Sequence, residues 1–226
     1  MRDYTSIMNL SYFRVSHSSH AWISRNFCCS PKMQGTGGNG TGVRPLFGGA
    51  LTAVIPHSAS DISELREIPD NQEVFVHKQT DQSLMVDLLE YQAHVQDIEA
   101  ARYHFEDLAG SNEASSLESS EVVHVEPLTK SQLSLHECSC AFFLTGTQRV
   151  SKFNEEAKNT VNIHLGLFRL PQFSTDILVT FNDPIRISPL SSSAAEDGVV
   201  IAAPWTSQDF LQLLQSLRLL DPGVFG

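Results

Sequence analysis

The sequence has few cysteines, and their spacing fits neither a disulfide framework nor a zinc site. Four cysteines occur among 226 residues, as the adjacent pair Cys28 and Cys29 and as Cys138 and Cys140, which one residue separates. Neighbouring cysteines are poor disulfide partners, and no Cys-x-x-Cys pair of the kind that holds zinc is present. We therefore expect a protein of a reducing compartment, because small secreted domains carry more cysteines.

Motifs for catalysis and for cofactor binding are also missing. No segment matches the nucleophile elbow GxSxG, the zinc motif HExxH or the phosphate loop GxxxxGK[ST]. The glycine-rich run Gly35–Gly42 follows no predicted strand and opens no predicted helix, which favours a flexible linker over a phosphate-binding loop. We expect no metal, no cofactor and no covalent chemistry. The alternative, an enzyme, would require a pocket that places His104 or His164 beside a carboxylate.

Positive charge is scarce. The chain has 15 Lys and Arg against 26 Asp and Glu, which gives a formal net charge of −11. Such a surface repels nucleic-acid phosphate and anionic lipid, and it is complementary to a basic protein surface. No run of 18 apolar residues occurs, so we expect no insertion into a membrane. A basic protein partner is therefore expected, although acidity can also serve solubility alone.

The N-terminal segment differs from the rest in composition. Residues 1–32 are rich in Ser, Arg and aromatic residues, and they carry four basic residues against one acidic residue. This composition is typical of a mitochondrial transit peptide, but the segment shows no clear amphipathic period. Its other two explanations are a disordered extension and an alternative translation start at Met33. We expect an extension and linker over 1–44, followed by a single domain over 45–226.

Apolar patterning predicts several strands, most of them in the second half of the chain. The predicted strands are Leu51–Ile55, Glu73–His77, Glu121–Glu126, Ala141–Thr147, Thr160–Leu170 and Asp176–Asn182. Strands that follow one another without a helix between them indicate an antiparallel sheet. The sequence therefore predicts an α+β fold in which helices pack on a mostly antiparallel sheet.

Two helical segments are predicted beside these strands. The first opens at Ser83, because apolar residues recur at spacings of four, three and four residues, at Leu84, Leu88, Tyr91 and Val95. It pauses near Asp97 and resumes over Ala100–Leu108. The last helix begins with Ser207 as its N-cap, carries a broad leucine stripe and ends before Pro222.

Five carboxylates lie in two nearby stretches of the chain: Asp61, Asp70, Glu73, Asp87 and Glu90. If residues 83–95 are helical, Asp87 and Glu90 stand three residues apart on one side of that helix. Together they could accept a Lys or Arg side chain of a partner. Composition alone also fits a solvated acidic face without a partner.

Several segments together resemble the Ran guanine nucleotide release factor family. They are PLFGGALTAVIP at 45–56, PDNQEVF at 69–75, VDLLE at 86–90, LFRLPQFSTDILVTFN at 167–182 and LLDPGVFG at 219–226. Their order and spacing extend the resemblance over nearly all of 45–226. The resemblance implies the fold of the PsbP proteins of photosystem II, a mostly antiparallel sheet sandwiched between helices.

The resemblance also implies a function and a site. Members of that family bind Ran, promote loss of its guanine nucleotide and support nuclear protein import, which implies a location in nucleus and cytoplasm. Some are linked to delivery of a voltage-gated sodium channel to the cell surface. The positions that match the family's Ran-binding carboxylates are Asp61, Asp70, Glu73, Asp87 and Glu90. An adaptor that binds Ran or a membrane-protein loop without changing nucleotide affinity is the alternative, and we expect a monomer.

Overall fold

The computed structural model describes residues 41–63, 67–116, 118–151, 158–190 and 203–226. The predictions for 1–40, including most of the glycine-rich run and both Cys28 and Cys29, lie outside these ranges. Strand β1 covers Thr41–Leu46 and so includes the last four residues of the expected 1–44 extension. The division into an extension and a single domain stays a prediction. No helix in the described ranges is both long enough and apolar enough to cross a membrane.

The described residues form a large and a small antiparallel sheet. The large sheet has seven strands in the order β3-β4-β5-β9-β8-β7-β6, and the small sheet has the order β1-β2-β10. Within the large sheet the strands are β3 Ala59–Asp61, β4 Gln72–His77, β5 Ser83–Glu90, β6 Ser120–Pro127, β7 Cys140–Ser151, β8 Lys158–Leu170 and β9 Thr175–Arg186. Besides β1, the small sheet contains β2 Leu51–Pro56 and β10 Arg218–Leu219. The six predicted strands are thus confirmed, each with small differences in its bounds.

The two faces of the large sheet are covered by different elements. Helix α1, Asp97–Ser111, buries Ala101 and Phe105 against one face. Helix α2, Ser207–Ser216, and the small sheet cover the other face, where Phe210 and Leu214 enter the main core. The fit is close, since a Cβ built on Gly166 of β8 would lie 2.2 Å from a methyl of Leu214. This arrangement confirms the expected antiparallel sheet sandwiched between helices.

The predicted helix from Ser83 is wrong, because residues 83–90 form the strand β5. This strand lies between β4 and β9, so both of its faces are buried and its apolar residues form a nearly continuous run. Such a run does not alternate, and its leucines fall at helical spacing by coincidence. The helix that was expected to resume over Ala100–Leu108 is confirmed as the core of α1.

Helix α2 begins one residue earlier than the predicted cap. Thr206, not Ser207, is the N-cap, and it forms a capping box with Asp209. The Thr206 hydroxyl accepts from the Asp209 backbone N–H at 3.2 Å, and the Asp209 carboxylate accepts from the Thr206 backbone N–H at 2.8 Å. Reciprocal bonds of this kind satisfy two backbone donors that a helix end leaves unpaired. The helix ends at Ser216, and the following residues turn into β10 instead of extending the helix toward Pro222.

Candidate functional site

Two of the five predicted site residues, Asp70 and Glu90, are exposed at one corner of the large sheet. Asp70 lies in a turn that the Gln72 backbone N–H closes on the Pro69 carbonyl at 2.9 Å. Asn71 then bonds to Leu88 twice, by its carbonyl at 2.9 Å and by its side-chain Nδ2 at 3.0 Å. Asn71 therefore lies across from Leu88, so its neighbour Asp70 lies beside the end of β5, where Glu90 is exposed. We call Asp70 and Glu90 the acidic corner.

Glu73 is committed to a contact inside the molecule. Its Oε1 accepts a hydrogen bond from the backbone N–H of Phe47 at 2.7 Å. Phe47 opens a short turn in which it, Gly48 and Gly49 all have positive φ, at 49°, 66° and 98°. A bulky residue rarely adopts such a φ. The carboxylate thus holds a strained turn of the small sheet against β4 of the large sheet.

Two substitutions at Glu73 separate this structural bond from the charge. In Glu73→Ala the partly buried Phe47 N–H loses its acceptor, and we expect the free energy of unfolding to fall by about 1–3 kcal/mol. Glu73→Gln keeps a carbonyl acceptor and should lower it by less than about 1 kcal/mol. Urea denaturation of both variants checks this. Equal losses in the two variants would show that the Phe47 bond is not what Glu73 contributes.

Asp61 also takes part in local structure at the edge strand β3. Its Oδ1 accepts from both the backbone N–H and the hydroxyl of Ser63, at 2.8 and 2.6 Å. The guanidinium of Arg44 lies nearby, over the ring of Phe75 at 5.8 Å from its centroid. Burial lowers the pKa of Arg44, and attraction to Asp61 opposes that shift. Because Asp61 pairs with Phe75 and Glu73 precedes Phe75 by two residues, both acids face the small sheet.

Asp87 lies on the opposite face of the sheet, which corrects its expected place beside Glu90. In a strand, residues three apart point to opposite faces, whereas in the predicted helix they would have shared one side. Asp87 is 7% exposed and accepts from Gln72 Nε2 at 2.6 Å. Burial raises the pKa of its carboxyl from 3.8 to about 7, and the Gln72 bond opposes that rise. Asp87 is therefore not at the surface that Asp70 and Glu90 form.

The raised pKa of Asp87 predicts a loss of stability as pH rises. A carboxyl whose pKa is higher in the folded state than in the unfolded state stabilises the fold when protonated, and this contribution disappears between pH 3.8 and about 7. Asp87→Asn removes the ionisation and keeps an acceptor for Gln72. We expect the variant to be more stable than the unmodified chain at pH 8, by on the order of a few kcal/mol, and to approach it near pH 4.

Urea denaturation at several pH values measures this difference, and Asp70→Asn is the matched control. It makes the same chemical change in an exposed turn, so its stability relative to the unmodified chain should hardly vary with pH. If the Asp87→Asn difference is the same at pH 4 and pH 8, the Asp87 carboxyl does not titrate in this window.

A buried ionic network, which the sequence did not reveal, lies next to the acidic corner. Arg169 of β8 is 0% exposed and donates through Nε to Asp176 Oδ1 at 3.2 Å. The other carboxylate oxygen, Asp176 Oδ2, contacts His104 Nε2 at 3.2 Å and accepts from the Gln92 backbone N–H at 3.3 Å. A fully buried arginine in the middle of a strand was the only signal that could have indicated the network, and burial is not visible in the sequence.

The histidines named for the enzyme alternative lie in packed surroundings. His104 belongs to the network around Asp176 and is 5% exposed. The Nδ1 of His164 lies 2.9 Å from the Thr145 hydroxyl, and its ring stacks between Phe143 and Phe181. Within the described ranges, no three or more His, Cys, Asp and Glu side chains are grouped so as to hold a metal ion. Neither histidine lines a site with a free approach for a substrate.

Comparison with known proteins gives consistent matches. A family described as Ran-interacting Mog1 protein matches residues 44–184. A Ran guanine nucleotide release factor of Danio rerio is 68% identical over 183 residues, which cover 81% of this chain and 99% of that protein. The Ran guanine nucleotide release factor of Homo sapiens is 48% identical over 183 residues, which cover 80% of this chain and 95% of that protein.

A solved structure shares the fold. The Saccharomyces cerevisiae Ran-binding protein Mog1p matches with a TM-score of 0.61 at 23% identity, over 84% of this chain and 100% of that one. The fold and the acidic corner define an α+β domain with an exposed acidic surface. On the family match and the identities to its relatives, the chain belongs to the Ran-interacting Mog1 family.

Proposed function

We propose that this chain binds the GTPase Ran through the acidic corner and promotes release of its guanine nucleotide. Family membership supports the choice of partner. The observation that carries the choice of surface is that Asp70 and Glu90 are exposed side by side at one corner, while Asp87 is buried on the other face. Glu73 and Asp61 would support this surface by holding the adjoining turns.

Release of a nucleotide in this way needs binding alone. A GTPase holds its nucleotide through basic side chains and Mg²⁺. Carboxylates that pair with those basic groups would favour the form of Ran that has lost or loosened its nucleotide, and they would repel the phosphates. By linkage, a protein that prefers this form lowers nucleotide affinity by the same factor.

The proposal has a cellular consequence, since relatives are named nuclear import proteins. A factor that resets the nucleotide state of Ran would support nuclear import and act in nucleus and cytoplasm. The monomeric state and a role in sodium channel delivery stay predictions, because none of the described residues argues for either.

The test is the release of a fluorescent GTP analogue from Ran when the full chain is added. The proposal expects a release rate that increases with the concentration of the chain and saturates. Binding to Ran with an unchanged release rate would overturn the release function and favour the adaptor alternative. A chain that does not bind Ran at all would contradict the choice of partner.

A further inference from the structure

The segment that joins β5 to α1 begins directly after Glu90 and is held by one buried side chain. We call residues 91–96 the β5–α1 connection. Arg169 donates through Nη2 to the carbonyl of Gln92 at 2.7 Å and through Nη1 to that of Val95 at 2.9 Å. The same Nη1 pairs with Asp97 at 2.7 Å, and the guanidinium lies 4.2 Å from the centre of the Tyr91 ring.

These contacts fix the backbone of the connection at both ends and in the middle. The Tyr91 backbone N–H donates to the Ser174 carbonyl at 2.9 Å, and Asp176 holds the Gln92 N–H. An exposed connection normally adapts its shape, but here the buried Arg169 determines it. A surface that is already ordered loses less conformational entropy when it binds a partner.

The outer side of this segment combines an apolar residue with acidic neighbours. Ile98, in the first turn of α1, is 56% exposed, and the flanking residues Asp97 and Glu99 are exposed acids. His94 is exposed too, and its ring meets that of Tyr103 edge-on at 5.6 Å. An apolar contact bordered by carboxylates suits a basic surface, because Lys and Arg present both an aliphatic stem and a charge.

We infer that residues 91–98 form a second contact region for the basic surface of Ran, continuous with the acidic corner through Glu90. This inference rests on the proposed function, because it takes Ran as the partner. It adds Ile98 and the β5–α1 connection to the contact surface.

Three variants test the inference through their affinity for nucleotide-free Ran, measured by titration. In Ile98→Lys a positive charge would face a basic partner, and we expect affinity to fall at least about tenfold. Ile98→Glu keeps the acidic character and should stay within about threefold of the unmodified chain. Ile185→Lys is the matched control. Ile185 is also 56% exposed, and it lies ten residues along β9 from Thr175, the partner of Glu90, which is about 30 Å away.

Thermal unfolding of all three variants establishes that the fold is intact. The inference is overturned if Ile98→Lys binds like the unmodified chain, or if Ile185→Lys weakens binding equally. In both cases the unmodified chain still binds Ran and the proposed function stands. If the unmodified chain does not bind Ran, the proposed function fails, and the second contact region fails with it.

Discussion

Replacing Arg169 with alanine is expected to lower the free energy of unfolding by about 3–5 kcal/mol. The substitution leaves the fully buried carboxylate of Asp176 without its cationic partner, in a place that water does not reach. It also removes the donors to the backbone carbonyls of Gln92 and Val95. Loss of one partner from a buried pair is far more destabilising than loss of a surface pair, because the remaining charge stays desolvated.

Urea denaturation of Arg169→Ala measures this effect, with Arg149→Ala as the matched control. Arg149 is an exposed arginine on the neighbouring strand β7, and its replacement should change stability by less than about 0.5 kcal/mol. A loss below about 1 kcal/mol in Arg169→Ala would mean that water or neighbouring groups solvate Asp176. The network would then not be the element that holds the β5–α1 connection.

Reversing both charges of the acidic corner is expected to weaken the affinity for Ran at least about 100-fold. Asp70→Lys/Glu90→Lys changes two exposed carboxylates into cations that would face the basic surface of the partner. Both side chains are exposed, so the substitutions should leave the fold nearly unaffected. Because the attraction is between charges that water partly screens, the affinity of the unmodified chain should also decrease as salt concentration rises.

The control for this variant makes the same change in net charge at a distant place. Glu121→Lys/Glu126→Lys replaces two exposed carboxylates of β6, the strand at the far edge of the large sheet. Its affinity should remain within about threefold of the unmodified chain. Equal weakening by the two double variants would indicate that overall charge, and not the acidic corner, attracts the partner.

The strands were predictable where one face is more polar than the other. In the first part of β8, buried apolar residues alternate with more exposed ones, such as Val161 and Ile163 with Asn162, and this alternation is visible in the sequence. Strand β5 has no such alternation because β4 and β9 bury it on both faces. Its leucines then match a helical period equally well, and only the sheet determines which structure forms.

This one error also misplaced part of the predicted site. A helix over 83–95 would put Asp87 beside Glu90, whereas the strand separates them onto opposite faces. The exposed pair, Asp70 and Glu90, is close together only because the Pro69–Gln72 turn pairs with the end of β5. That proximity depends on strand register, which the separate sequence segments do not specify.

The internal bonds of the other acids could not be predicted for a similar reason. Glu73 bonds to Phe47, 26 residues earlier in the chain, and Arg169 bonds to Asp97, 72 residues earlier. Neither pair has a local pattern that would connect its members. The resemblance to a family indicated which carboxylates to consider, and the geometry distinguishes those at the surface from those that hold the fold.

The measurement that tests the central claim most directly is amide hydrogen exchange of this chain, free and in complex with nucleotide-free Ran. The account predicts that binding slows exchange at two places, the turn around Asp70 and the stretch from Glu90 to Ile98. It predicts no change in β6. Slower exchange confined to β6 or to α2, with the acidic corner unchanged, would contradict the account and place the partner on another face.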